Sequence, residues 1–131
     1  MLNEGEWAGT RILDASWVRD ATGRSSQESN SAHGCLWWLN RPGTVLGAGQ
    51  AAGDGSAGGP GGTQLVPCAP EDMFWALGFG KQVVAVDPGS DIVVVRLGPA
   101  STPKGMRKFD QRAPERVITG ALLSVADRLS S

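Results

Sequence analysis

At 131 residues the chain is long enough for one ordinary domain. Its 12 basic and 13 acidic residues leave a net charge of −1, and no basic face stands out, so nothing in it has the electrostatic footprint of a nucleic-acid binder. An apolar content of 40% and a charged content of 19% fit a soluble, partly globular chain, and no apolar run approaches the ~20 residues that cross a bilayer.

The chain opens with MLNEGEWAGTRILDASWVRDAT. No charged segment followed by an apolar one reads as a secretory leader, so a cytoplasmic location is expected if the chain is complete. These first residues look like the tail of an earlier element. A turn is expected at Ala8, Gly9 and Thr10, flanked by Trp7 and by Ile12 and Leu13. Asp14 is a good N-cap. Residues 15–21 behind it can form two helical turns that face Trp17 and Val18 toward the core. Residues 23–31 are polar and serine-rich and read as loop.

Residues 34–40 (GCLWWLN) form an apolar strand candidate. Neighbouring residues on a strand point to opposite faces, so Trp37 and Trp38 should separate, one inward and one toward a second layer or a cleft. Residues 43–62 hold nine of the 19 glycines, too little apolar surface to offset the cost of ordering, and a mobile surface loop over 43–63 is expected. Its Val-Leu-Gly-Ala-Gly start resembles a dinucleotide fingerprint only superficially. That motif needs a helix after it, and here more glycine follows, so no cofactor is expected.

The densest signal lies in MFWALGFGKQVVAVDPGSDIVVVRL, residues 73–97. Two short β-branched runs, 83–86 and 92–95, are joined by Asp-Pro-Gly-Ser-Asp, a turn with the right chemistry at each position. An antiparallel hairpin is expected, and because neither run alternates with polar residues it should be covered on both faces. Gly78, Phe79 and Gly80 interrupt the chain just before it. Residues 99–112, with Lys104, Arg107 and Lys108, read as a solvated connector. Pro114 suits the first turn of a closing helix. Val117, Ile118, Ala121, Leu122, Val125 and Leu129 then form one apolar stripe, with Gly120 as a liability. The fold class is α+β, an antiparallel sheet with a packed C-terminal helix.

Cys35 and Cys68 are the two cysteines and His33 the one histidine. Free thiols are expected. The three residues could supply three metal ligands, but no CxxC or HxxxH spacing supports a site, and no metal is expected. His33 and Cys35 share a strand face, yet they stand close for a productive nucleophile–base pair, and no glycine-rich turn adjoins Cys35.

In their order along the chain, LNEGEWAGTRILDASWV (2–18), GCLWWLN (34–40), DMFWALGFGKQVVAVDPGSDIVVVRLG (72–98) and the closing amphipathic helix resemble the C-terminal part of the serine β-lactamase-like hydrolases. These comprise class C β-lactamases, penicillin-binding peptidases, related esterases and 6-aminohexanoate-dimer hydrolases. The resemblance implies one partial domain over 1–131, a β-lactamase/transpeptidase-like sheet with helices on both faces, and hydrolysis of a small amide or ester substrate. That family carries its Ser-x-x-Lys helix early in the domain and a catalytic tyrosine after it. No counterpart of that helix is expected here and tyrosine is absent, so no catalytic residue is assigned. The resemblance places Gly78, Phe79, Gly80 and Lys81 at the strand that supplies an oxyanion-holding N–H, with Trp37, Trp38 and Trp75 as cleft-wall candidates. Phe79 in place of a small hydroxyl residue turns the expectation away from penicillin-like carboxylates toward apolar acyl or amide groups. Without the resemblance, the two glycines read equally well as a bulge. The alternative to a hydrolase segment is a non-catalytic binding or structural module that self-associates or accepts a complementing N-terminal segment.

Overall fold

The computed structural model describes residues 3–46, 64–79, 82–98 and 113–129, with side chains of 113–117 excepted. The architecture is α+β. Two short strands, β1 (Glu6–Trp7) and β2 (Thr10–Arg11), form a hairpin. Helix α1 (Ala15–Gly23) follows. A four-stranded antiparallel sheet then runs in the order β3 (Trp38–Leu39), β4 (Phe74–Gly78), β5 (Gln82–Asp87), β6 (Ile92–Arg96). Helix α2 (Ala113–Leu129) closes it.

The first hairpin turns where glycine chemistry expects it. Ala8 and Gly9 both take positive φ, 48° and 78°, the conformation a two-residue hairpin turn requires. Asp14 caps α1, its carboxylate accepting the Ser16 N–H at 2.7 Å. Bonds from the Ser16 hydroxyl and N–H hold that carboxyl below its ordinary range. The cap therefore contributes fully above the ordinary carboxylate pKa and is lost as pH falls through the lowered value. Val18 is buried as expected, but Trp17 stays 49% exposed, a correction. The helix seats Val18 and Ala21 inward, and a Cβ on Gly34 would come within 2.8 Å of the Ala21 carbonyl oxygen and 3.0 Å of the Leu39 side chain, so glycine is needed there.

Residues 34–40 are not one strand. The chain reverses at Cys35 and Leu36: the Gly34 N–H reaches the Trp37 carbonyl at 2.8 Å, and the Leu39 N–H reaches that of Ala32 at 2.8 Å. Leu36 takes φ 65° and is 87% exposed. Trp37 and Trp38 do separate to opposite faces of the sheet. Trp38 joins the core with Trp75, Val83, Ala85 and Leu122, whereas Trp37 joins Leu39, Phe74 and Val86.

The expectation of a hairpin covered on both faces holds for β5, where Val83, Ala85 and Val86 are buried, and fails for β6. Along β6 the residues alternate, with Val93 46% and Val95 55% exposed while Ile92 and Val94 pack against the core. Helix α2 lies on the inner face, against β5 and β6. Among the described residues no helix covers the outer face at β6. Helix α2 is also rotated from the expected stripe. Ile118 and Leu122 pack inward as anticipated, but Thr119 is fully buried beside them, while Ala121, Val125 and Leu129 are exposed.

Two buried asparagines hold the loops to the sheet. Asn40, fully buried, shares its two side-chain N–H groups among the carbonyls of Val66, Ala69 and Pro70 at 2.9–3.0 Å, and its Oδ1 accepts the Val66 N–H at 2.8 Å. Asn30 bonds both backbone groups of Leu46 at 3.1 Å. Val45 and Leu46 are buried, a correction to the expected loop start, whereas Gly43 and Thr44 before them are exposed; 47–63 and the connector 99–112 lie outside the described residues. No helix among the described residues is long and apolar enough to cross a membrane.

Replacing Asn40 by Ala leaves four backbone groups to find other partners. A loss of about 3 kcal/mol is expected in denaturant unfolding, and a loss under about 1 kcal/mol would show that the clasp carries little. Gly120 is exposed, and a Cβ there meets nothing within 4 Å. Gly120→Ala is therefore expected to stabilise by about 1 kcal/mol, read as a raised Tm.

Candidate functional site

The candidate strand region falls where β4 passes into β5. Gly78 ends β4 and pairs with Gln82, the first residue of β5. Gly78 thus stands at a hairpin reversal inside one sheet. A Cβ on Gly78 would come within 3.1 Å of the Gln82 Cβ, so glycine relieves crowding at the closing pair. Phe79 is fully exposed. Gly80 and Lys81 lie outside the described residues. Gln82 also ties the sheet at this end: its Nε2 donates to the Gly98 carbonyl at 3.0 Å, and its Oε1 accepts the Gly98 N–H at 3.2 Å.

The three tryptophans do not line one surface. Trp38 and Trp75 are cross-strand partners on the inner face. Trp75 is 0% exposed and its indole N–H has no acceptor. Trp37 sits on the outer face, edge-to-face with Phe74 at 5.1 Å. Trp75 therefore offers nothing to a solvent-filled cleft, and Trp37 and Trp38 are divided by the sheet.

His33 bridges to Trp38 through the backbone, and its ring meets the Trp38 ring edge-on at 5.4 Å. Cys35 and Cys68 are free and exposed. No group of three His, Cys, Asp or Glu residues among the described ones could hold a metal ion. A shallow polar recess of about 400 Å³ opens at the first hairpin, lined by Asn3, Glu4, Glu6, Ala8, Gly9 and Arg11. Its acids are matched, Glu6 by Arg11 of the recess at 3.4 Å and Glu4 by Arg19 of α1 at 3.1 Å. It presents no unbalanced charge to a ligand, and nothing in the sequence pattern pointed to it.

The expectation that Ser-x-x-Lys is absent from the chain is corrected by the sequence itself. Ser101 and Lys104 stand three residues apart, in Ser-Thr-Pro-Lys, a literal Ser-x-x-Lys. It departs from the hydrolase arrangement on two counts. It follows the strands instead of preceding them, and Pro103 disfavours the helical turn that would bring serine and lysine to one face. It too lies outside the described residues.

No protein-family model matches the chain, and comparison with curated proteins and with solved structures returns no significant match. The likeness to serine β-lactamase-like hydrolases rests on the sequence phrases alone.

The burial difference within the candidate set is measurable. Trp75→Ala is expected to cost about 3–5 kcal/mol through the cavity it opens. Phe79→Ala should leave stability within about 0.5 kcal/mol in the same unfolding experiment.

Proposed function

We propose that the chain works as a non-catalytic pairing module, whose four-stranded sheet accepts a further strand along β6. The observation that carries this reading is β6 itself. It ends the strand order, pairs with β5 over its whole length, and leaves Val93 and Val95 half exposed. An edge strand that remains single is ordinarily blunted by proline, lysine, a bulge or a covering element. Ile-Val-Val-Val-Arg has no proline, lysine or bulge, and no described element pairs beyond it.

A second reading is supported by the exposed Gly78–Phe79 reversal and by the order of the sequence phrases. In it, the chain contributes a cleft-wall strand to a serine hydrolase whose nucleophile lies on polypeptide outside it. The donor to the oxyanion would be a backbone N–H near Gly78, and the substrate an apolar amide or ester. Such donors lower an acyl-transfer barrier by about 3–4 kcal/mol only when a nucleophile is held opposite them. The described residues hold no such serine–base pair.

The purified chain is expected to show no turnover of chromogenic esters or cephalosporins above the buffer rate. Saturable hydrolysis abolished by Ser101→Ala would overturn the module reading and place the chemistry at the Ser-x-x-Lys of the connector. For the edge itself, hydrogen exchange of the β6 amides in dilute solution is the direct measurement. Alternate amides should exchange freely, and uniform protection would mean that the edge is already covered.

A further inference from the structure

One end of the four-stranded sheet carries three exposed apolar side chains in a row. Trp38 pairs with Trp75, so counting back along β3 and onward along β4 sets Leu36 level with Leu77. Phe79 follows Gly78, whose partner Gln82 opens β5. Leu97 follows Arg96, which pairs with Val83, so Leu97 stands level with Gln82. Phe79 is fully exposed, Leu36 is 87% exposed and Leu97 74%. With strands about 4.8 Å apart, the row from Leu36 to Leu97 spans roughly 15 Å.

The acids of the sheet are sorted the other way. Glu71 and Asp72 precede β4, and Asp87 and Asp91 flank the turn between β5 and β6, all at the opposite end. Residues 32–40, 73–79, 82–86 and 92–98 contain no acid. Leu36 is also held against its own preference. Its φ of 65° is a conformation that glycine takes freely and leucine rarely adopts. Strain kept at an exposed tip points to a use for the side chain it presents.

We propose that this end of the sheet docks on a phospholipid surface, with Leu36, Phe79 and Leu97 inserted at the boundary between headgroups and acyl chains. The surface lies at the strand ends and does not rest on the pairing-module reading. Area, shape and charge favour this occupant. Three side chains fall well short of the ~800 Å² that each partner brings to a stable protein interface, so neither a second copy nor another protein would be held by them. Side chains that stand clear of their own chain would need three matched pockets on a protein, whereas a fluid boundary takes apolar projections without preformed pockets. A membrane surface is neutral or negative, and the end that approaches it carries no acid, the acids being turned away. With a net charge of −1, transfer of apolar side chains rather than headgroup attraction drives the contact, so a neutral bilayer suffices.

The chain carries its own pair of probes. Cys35 adjoins Leu36, and Cys68 lies between Val66 and Ala69, both held by Asn40 at the opposite end; both thiols are exposed. A polarity-sensitive dye is placed on Cys35 in the Cys68→Ser chain and on Cys68 in the Cys35→Ser chain. Each is titrated with phosphatidylcholine vesicles up to about 5 mM lipid, because three side chains bind more weakly than one myristoyl chain, whose constant is about 10⁴ M⁻¹. The dye on Cys35 should brighten and shift to the blue, and the dye on Cys68 should not. Vesicle cosedimentation of the unlabelled chain should show binding that persists in high salt. Phe79→Ser should lower the partition constant about tenfold with Tm unchanged. Leu36→Gly should raise Tm by releasing the strained φ and still weaken binding, which separates docking from folding. No binding at the highest lipid concentration overturns the proposal, as does an equal response from the two dyes. Binding that needs phosphatidylserine and vanishes in high salt overturns it in favour of a charged surface. Self-association without lipid that Phe79→Ser abolishes overturns it in favour of contact between copies.

Discussion

Asn40 is the point at which a chain short of regular structure becomes a fold. Strand β3 is only two residues long, and a two-residue ladder cannot hold the segment of 64–73 that must pack under the sheet. The side chain next to that strand does so instead. One amide, fully withdrawn from water, gathers three carbonyls and one N–H of that segment, while the Asn40 backbone N–H bonds the Met73 carbonyl at 3.2 Å and its carbonyl accepts from the Gln64 side chain at 3.2 Å. The free energy at stake is mainly that of leaving buried peptide groups unpaired. Leu65, Val66, Ala69 and Met73 reach the core because the polar backbone between them is satisfied.

With the inner face closed in this way, the asymmetry of the sheet follows. The segment held by Asn40, Val45 next to the Leu46 held by Asn30, and helix α2 all press on one side, where Trp75, Val83 and Ala85 are buried. On the other side Leu39, Phe74 and Val86 form a smaller cluster with Trp37 near β3. That cluster takes in Val84 and Val86 of β5 but leaves their partners on β6, Val95 and Val93, half open. The burial of β5 and the exposure of β6 are thus one fact: the apolar material of the described chain suffices for one whole face and half of the other.

How much of this was legible in the sequence depended on whether a feature is local. The Asp-Pro-Gly-Ser-Asp turn was readable because its chemistry is its own. The Asp87 carboxylate accepts the Gly89 N–H at 3.1 Å and the Ser90 hydroxyl at 2.6 Å, and Asp91 takes φ 58°, all within five residues. The Asp14 cap was readable for the same reason. The reversal at Cys35 and Leu36 was not, because a leucine at positive φ carries no turn signal and is imposed by the ladder on either side of it. The rotation of α2 was hidden because Ile118 and Leu122 belong to both candidate stripes, and only contact with the sheet selects Thr119 over Val125. The clasps of Asn30 and Asn40 span 16 to 30 residues, and no periodicity encodes them.

The candidate site divides along the same line. Glycine at position 78 was legible as a place of close backbone approach, and the structure supplies the reason, a closing pair with Gln82 that a Cβ would crowd. That reason is complete without any substrate. The tryptophans were legible as opposed pairs, but not as members of one wall, and the sheet sets them on both of its sides. Among the described residues, no element covers Val93 and Val95 on the outer face of β6. Apolar side chains left half in water on the last strand of a sheet are costly to keep unless something meets them, and it is this surface, rather than the Gly78 reversal, that supports the pairing-module reading.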